Sequence, residues 1–347
     1  MVKKTVTIAV DAMGGDQAPR ITVEGACKAT EEMDVRLILV GDEKKIRTEL
    51  QKHNYDKEKI RLLHTAEEIN MRESPRRAIQ EKPGASVLLT AKLLAEGKAE
   101  AMISAGSTGA VVLAAAEHLQ RIPGVKRTAL GTIFPTLNVL KRPDIFSLIL
   151  DMGANVSNSP EDLVHFAYMG MSYKQKIMGV PSPRVALLNI GAEEKKGNAE
   201  MRKAYQLLSG RPDIDFIGNI EGNELSSGKA DVVVAEGMQG NIAIKTMEGT
   251  AEAVKKLGKM AYEGKCLWKL GLLCLSGGIK KIMKVASYEE YGGALLFGFD
   301  KIVIKSHGRS TAHAFMNGIK VAVRSVQDDL VPVMRESIRQ FETDMKP

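Results

Sequence analysis

Three cysteines, Cys27, Cys266 and Cys274, are all that the 347 residues contain. Their odd number and the lack of C-x-x-C spacing exclude a disulfide framework and a cysteine zinc site. Aromatic residues are scarce as well, at 5% with a single tryptophan. That removes the stacking platforms on which single-stranded nucleic-acid binders rely, and no nucleic-acid partner is expected. No uninterrupted apolar run reaches the roughly 20 residues of a membrane-spanning helix. The opening "MVKKTVTIAV" enters a strand directly, without a signal-peptide layout, so the expected location is the cytoplasm. Neither G-x-G-x-x-G nor a P-loop follows the first strand, and no H-E-x-x-H zinc pair occurs. No metal and no cofactor is therefore expected.

What remains is the composition of an ordinary globular protein, 44% hydrophobic and 26% charged. The formal charge of +7 favours acidic partners such as phosphate, anionic lipid or an acidic carrier protein. Apolar strand-like runs alternate with amphipathic helical ones. Strands are predicted at 5–10, 36–40, 60–64, 101–104, 129–134, 146–150, 184–189, 215–218, 231–235 and 301–305. Helices are predicted at, among others, 86–96, 108–119, 161–178 and 194–208. Such alternation means βαβ units and a largely parallel α/β sheet with helices on both faces.

The informative residues sit where strands end. "AVDAMGGDQAP" places Asp11 and Asp16 around the Gly14–Gly15 corner, and "SAGSTGA" sets Gly106, Ser107 and Thr108 before a helix. "LDMGANV" carries Asn155, "NIGAEEKKGN" carries Lys196 and Asn198, "AEGMQGN" carries Asn241, and "IKSHGRST" carries Lys305 and His307. Each corner alone reads as a turn that tolerates left-handed backbone. Together they are expected to converge on one edge of the sheet, because open α/β sheets bind ligands beyond their strand carboxyl ends. Helix-start N–H groups there suit an anion such as phosphate, with Lys196, Lys305 and His307 as side-chain donors. The expectation is a site that positions a phosphate and an oxyanion without a covalent enzyme intermediate.

With these runs in this order, from the first strand to beyond residue 315, the chain resembles the bacterial phosphate acyltransferase (PlsX) family. The resemblance implies transfer of a fatty acyl group from acyl carrier protein to inorganic phosphate. The product would be acyl phosphate for phospholipid synthesis, taken up by an acyl-phosphate:glycerol-3-phosphate acyltransferase. It also implies an isocitrate/isopropylmalate dehydrogenase-like fold, shared with phosphotransacetylases, usually as a homodimer. Ser107, Glu224, Glu236 and Met238 stand where the family commonly has Asn, Asp, Asp and Phe. On this reading Lys196, Asn198, Asn241 and His307 are the catalytic candidates. Asp11, Gly14, Gly15, Asp16, Gly106, Ser107, Thr108, Asn155 and Lys305 would bind phosphate or substrate. Asp11 and Asp16 are expected to order the cleft floor or bind Lys196, and His307 can equally cap the following helix. Residues 1–345 are expected to form one catalytic unit with two lobes, about 1–140 with 295–345, and 141–294.

Three alternatives stay open: a phosphotransacetylase using acyl-CoA, a decarboxylating dehydrogenase needing nicotinamide and a divalent metal, and a non-catalytic scaffold for lipid enzymes. One further segment stands out. Within a predicted helical hairpin at 257–287, Trp268, Leu272, Leu275 and Ile279 recur at helical spacing while lysines take the other side. Gly277–Gly278 is expected to break the helix. The segment suits a dimer interface, peripheral docking on the inner face of a membrane, or both.

Overall fold

The computed structural model describes residues 5–137, 145–263, 268, 269, 271, 273–278 and 292–344. The strands are β1 (Val6–Asp11), β2 (Val35–Gly41), β3 (Ile60–His64), β4 (Ala101–Ser104), β5 (Ala129–Pro135), β6 (Phe146–Leu150), β7 (Arg184–Leu188), β8 (Asp215–Ile220), β9 (Val232–Val234), β10 (Ala294–Phe297) and β11 (Ile302–Lys305). The helices are α1 (Arg20–Glu32), α2 (Glu43–Leu50), α3 (Pro75–Glu81), α4 (Ser86–Ala95), α5 (Thr108–His118), α6 (Pro160–Lys176), α7 (Ala199–Ser209), α8 (Gly237–Glu263), α9 (Ala312–Gln327) and α10 (Leu330–Asp344). All ten predicted strands are present, and β10 is added. The helix expected from 194 begins only at Ala199, because Gly197 takes a left-handed φ of 88° and Asn198 caps the helix.

The strands form one sheet of eleven in the order β3-β2-β1-β4-β11-β10-β5-β6-β9-β7-β8. Both halves are parallel within themselves, but β10 runs antiparallel to β11 and to β5, and β5 antiparallel to β6. The second half therefore points opposite to the first. A single rung of paired residues crosses the whole sheet: Leu62, Leu39, Val10, Ile103, Ile304, Leu295, Gly131, Leu150, Val234, Leu187 and Asn219. At that rung both halves reach their carboxyl ends, from opposite directions.

Side chains alternate between faces. Val10, Ile103, Ile304 and Leu150 join one large core under α1, α6, α7, α9 and α10. Their neighbours Ala9, Met102 and Val303 join a second core with α4 and α5, while Ile149 joins a third with Ile244 of α8. One face is thus covered continuously and the other is divided, with Met152 touching both smaller cores. Asp11, Ser104, Lys305 and Asp151, one residue beyond the rung, all belong to the divided face. The expected convergence on one edge is replaced by two opposed edges whose side chains share one face, because β10 and β5 reverse the chain direction.

Candidate active site

On the first edge, Asp11 is 1% exposed. The hydroxyls of Ser86, which opens α4, and Ser104, which closes β4, each donate to it at 2.6 Å, one to either oxygen. The Met13 N–H adds a contact at 3.3 Å. Burial raises the carboxyl's pKa, while these donors pull it down by solvating the charged form. A Cβ on Gly14 would lie 2.5 Å from Asp11 Oδ2 and 2.6 Å from the Gly106 nitrogen, so only glycine lets the corner close on the carboxylate.

Lys305 stands beside Ser104 in register and is 8% exposed. Its ammonium donates to the Ser306 carbonyl. Burial lowers its pKa to about 8 against the upward pull of Asp11 and then Asp16. The Asp16 N–H donates to the Gly308 carbonyl at 2.9 Å, which ties the two corners together. His307 Nδ1 accepts from the Arg309 N–H at 3.1 Å. Burial, followed by the charge of Lys305, holds His307 below the usual histidine range. A neutral ring accepting at Nδ1 carries its proton on Nε2. At the start of α5, Ser107 Oγ accepts from the Ala110 N–H at 3.3 Å and Gly106 N–H donates to Ser104 Oγ at 3.0 Å. Thr108 is the first residue of that helix.

On the second edge Asp151 is fully buried. Its Oδ1 accepts from the N–H groups of Leu130, Gly153 and Ala154 at 2.9–3.2 Å. Its Oδ2 accepts from the Asn155 N–H at 3.0 Å and the Asn155 amide at 2.7 Å. That amide also donates to the Thr128 carbonyl at 2.7 Å, so Asn155 fastens the turn to β5. In the next loop the Asn189 amide donates to the Lys196 carbonyl at 3.1 Å, and the Asn219 amide to the Glu193 carbonyl at 2.9 Å. These contacts hold the loop that presents Lys196 at the surface. Asn198 Oδ1 caps α7 by accepting from the Met201 N–H at 2.8 Å, and its amide meets both Glu236 oxygens at 3.0 and 3.1 Å.

Helix α8 connects the edges. A Cβ on Gly240 would lie 2.0 Å from the Asp151 carbonyl oxygen, and the Asn241 side chain sits 3.1 Å from where a Gly153 Cβ would be. Four and seven residues further on, Lys245 and Glu248 act electrostatically on His307. The rise from Asn241 to Glu248 is about 10 Å along one helix face. One face of α8 thus carries Asn241 beside the Asp151 turn and, further along, the two charged residues that His307 feels. Asp11 and Asp16 act on Lys305, where Lys196 was one expectation. Ser86 and Ser104 were not among the sequence candidates. Ser104 lies within a quoted motif, whereas nothing in the local sequence marks Ser86, whose role depends on α4 packing against β1.

In the 257–287 segment, α8 accounts for residues up to Glu263, and Trp268 and Leu275 are 53% and 64% exposed. Leu272 and Ile279 lie outside the described residues. Gly277 and Gly278 are helical, and the residues that follow, where the expected break would turn the chain, lie outside the described residues. No helix among the described residues is long and apolar enough to cross a membrane.

The fold has counterparts of known structure. The fold is similar to that of a phosphotransacetylase from Streptococcus pyogenes, with a TM-score of 0.61 and 16% identity over 93% of this chain and 94% of that one. It is also similar to the EutD phosphotransacetylase from Staphylococcus aureus, with a TM-score of 0.56 and 18% identity over 93% and 95%. A family model described as "Fatty acid synthesis protein" matches residues 6–333. A phosphate acyltransferase from Dictyoglomus turgidum is 46% identical over 96% of this chain and 98% of its own length. One from Geobacillus sp. is 43% identical over 96% and 98%. The protein is an acyltransferase on a phosphotransacetylase-type fold. The chain belongs to the phosphate acyltransferase family.

Proposed function

We propose that the enzyme moves a fatty acyl group from acyl-acyl carrier protein to inorganic phosphate and releases acyl phosphate. A phosphate oxygen attacks the thioester carbonyl, a tetrahedral oxyanion forms, and the C–S bond breaks with the electron pair leaving on sulfur. The leaving thiol has an ordinary pKa of about 8.5, so strong acid assistance is unnecessary. The protein's task is to neutralise and aim phosphate and to stabilise the oxyanion. Lys305 and the start of α5 at Gly106–Thr108 bind phosphate on the first edge. Lys196 and Asn241 on the second edge, with the Nε2 proton of His307, stabilise the developing oxyanion. Asn198 acts by holding the Lys196 loop to Glu236.

The observation that carries this reading is kinship along almost the whole chain with phosphate acyltransferases. The test offers purified protein inorganic phosphate with either acyl-acyl carrier protein or acyl-CoA, and traps acyl phosphate with hydroxylamine. Product from the carrier-protein thioester supports the reading. Product from acyl-CoA alone favours the second reading, a phosphotransacetylase, which the fold likeness suggests. No product from either sinks both.

Residues 1–345 act as one catalytic unit with lobes at about 1–140 with 295–345, and 141–294. Its product enters phospholipid synthesis through a glycerol-3-phosphate acyltransferase that consumes acyl phosphate. Val254, Leu257 and Met260 on α8 are 63–67% exposed, a stripe suited to pairing two copies as a homodimer. Beyond it, exposed Trp268 and Leu275 suit reversible docking on anionic lipid at the inner membrane face, where a poorly soluble product is best delivered. Trp268→Glu or Leu275→Glu should weaken salt-sensitive vesicle binding while the dimer persists. Unchanged binding would assign the segment to the interface alone.

A further inference from the structure

Phosphate reaches this protein as a dianion, yet the first edge meets it with a lysine flanked by two acids. The arrangement is built rather than incidental. Asp11, Ser104 and Lys305 are aligned on three neighbouring strands, Asp11 paired with Ser104 and Ser104 with Lys305. Adjacent strands lie about 5 Å apart, and alternation turns all three side chains to the divided face. Asp11 takes a hydroxyl on each oxygen at 2.6 Å, from Ser86 and Ser104. Burial raises the Asp11 pKa overall, and the donors on both oxygens oppose that rise by favouring the ionised form. Ser86 comes from a different element, so helix and sheet must dock before the carboxylate is solvated.

The geometry points to Asp11 as a positioning residue for phosphate binding: fixed by Ser86 and Ser104, its carboxylate sustains the Lys305 ammonium charge, and phosphate binding draws a proton onto Lys305. This rests on the phosphate site proposed above. The groups that act on Lys305 are Asp11 on β1 and Asp16 on the following loop, and Lys305 in turn acts on His307 of its own loop, which also feels Arg309 and, from α8, Lys245 and Glu248. The paired strands offer Ser104 and Ala294 at that level, neither of which ionises. Burial and the acids oppose each other and leave Lys305 titrating at about 8. An incoming anion adds to the acids' side and raises it. Above that pH, Lys305 Nζ takes its proton from solvent as phosphate enters.

Three measurements test this. The phosphate KM of the wild type should climb above about pH 8, approaching tenfold per pH unit, while the acyl-donor KM stays flat. Asp11→Asn should move the climb to lower pH, because the acid that sustains the Lys305 charge is gone. Lys305→Met should give a raised phosphate KM without the climb. Independently of turnover, calorimetric titration with inorganic phosphate near pH 8.5, in two buffers of different ionisation enthalpy, should show net uptake of most of one proton in wild type and none in Lys305→Met. Should Asp11→Asn not fold, Ser104→Ala withdraws one donor and should give a smaller shift of the same sign. Phosphate binding without proton uptake, or profiles of Asp11→Asn and Ser104→Ala superimposable on wild type, overturns the inference. Proton-coupled phosphate binding in a protein that makes no acyl phosphate would instead overturn the proposed function and leave the inference standing.

Discussion

Asp11 and Asp151 occupy the same kind of place, each at the end of a strand, buried, on the divided face. They differ in what solvates them. Asp151 takes four backbone N–H groups and one side-chain amide, all from β5 or its own turn. Asp11 takes two hydroxyls from elements far away in sequence and one longer contact from its own turn, and its charge reaches Lys305 two strands away. Backbone donors cannot be spared or rearranged, so Asp151 reads as a staple for its turn. Hydroxyls can rotate, and the Asp11 charge remains felt by a neighbour that titrates. Residue type and position are therefore insufficient to assign a role; the identity of the donors decides it.

The largest effect expected is on the staple. Asp151→Ala leaves five donors without their acceptor and should cost about 3–5 kcal/mol. That should appear as a melting temperature lower by about 4–7 °C or loss of soluble protein. A variant melting like wild type would erase the contrast between the two acids. Next, Lys196→Ala should lower turnover by about 10²–10³ if its charge meets the oxyanion. Turnover within a few-fold at saturating phosphate would remove Lys196 from the chemistry.

The third prediction concerns pH. Lys305 binds its proton less tightly folded, at about 8, than its usual 10.5. Between those values the unfolded chain holds the extra proton, so stability rises with pH there, by up to about 1.4 kcal/mol per unit. Urea titrations of wild type against Lys305→Met should show this slope only in wild type, and equal slopes would place Lys305 outside the charge cluster. The smallest effect is at Asn198. Asn198→Ala should cost about 1 kcal/mol through the lost cap, and Asn198→Ser should recover the cap without the amide that meets Glu236. A turnover that stays low in the stable Ser variant would show that the amide held to Glu236 matters in itself.

Much of this was legible in the sequence. The β-branched runs gave ten strands because buried strands need few other signals, and glycine corners marked the carboxyl ends. The short "ALLF" of β10 was missed because four apolar residues fit helix and strand alike. With it went the reversal that opposes the two edges. Strand direction is decided by pairing across hundreds of residues, which no local pattern carries. The same reason hid Ser86. Asn155 and Asn198 were visible as polar residues at strand ends, but their contacts with Thr128, Asp151 and Glu236 emerge only once the loops close.

The rung that crosses all eleven strands has a consequence for how the enzyme can move. The two edges are joined through β10 and β5 by the same ladder of backbone bonds that holds each half together. Prising them apart in the plane of the sheet would tear that ladder, so the separation of the two edges, proposed above to hold the two reactants, is fixed when the chain folds. The entropy of bringing nucleophile and electrophile into register is spent during folding, and each catalytic cycle inherits it.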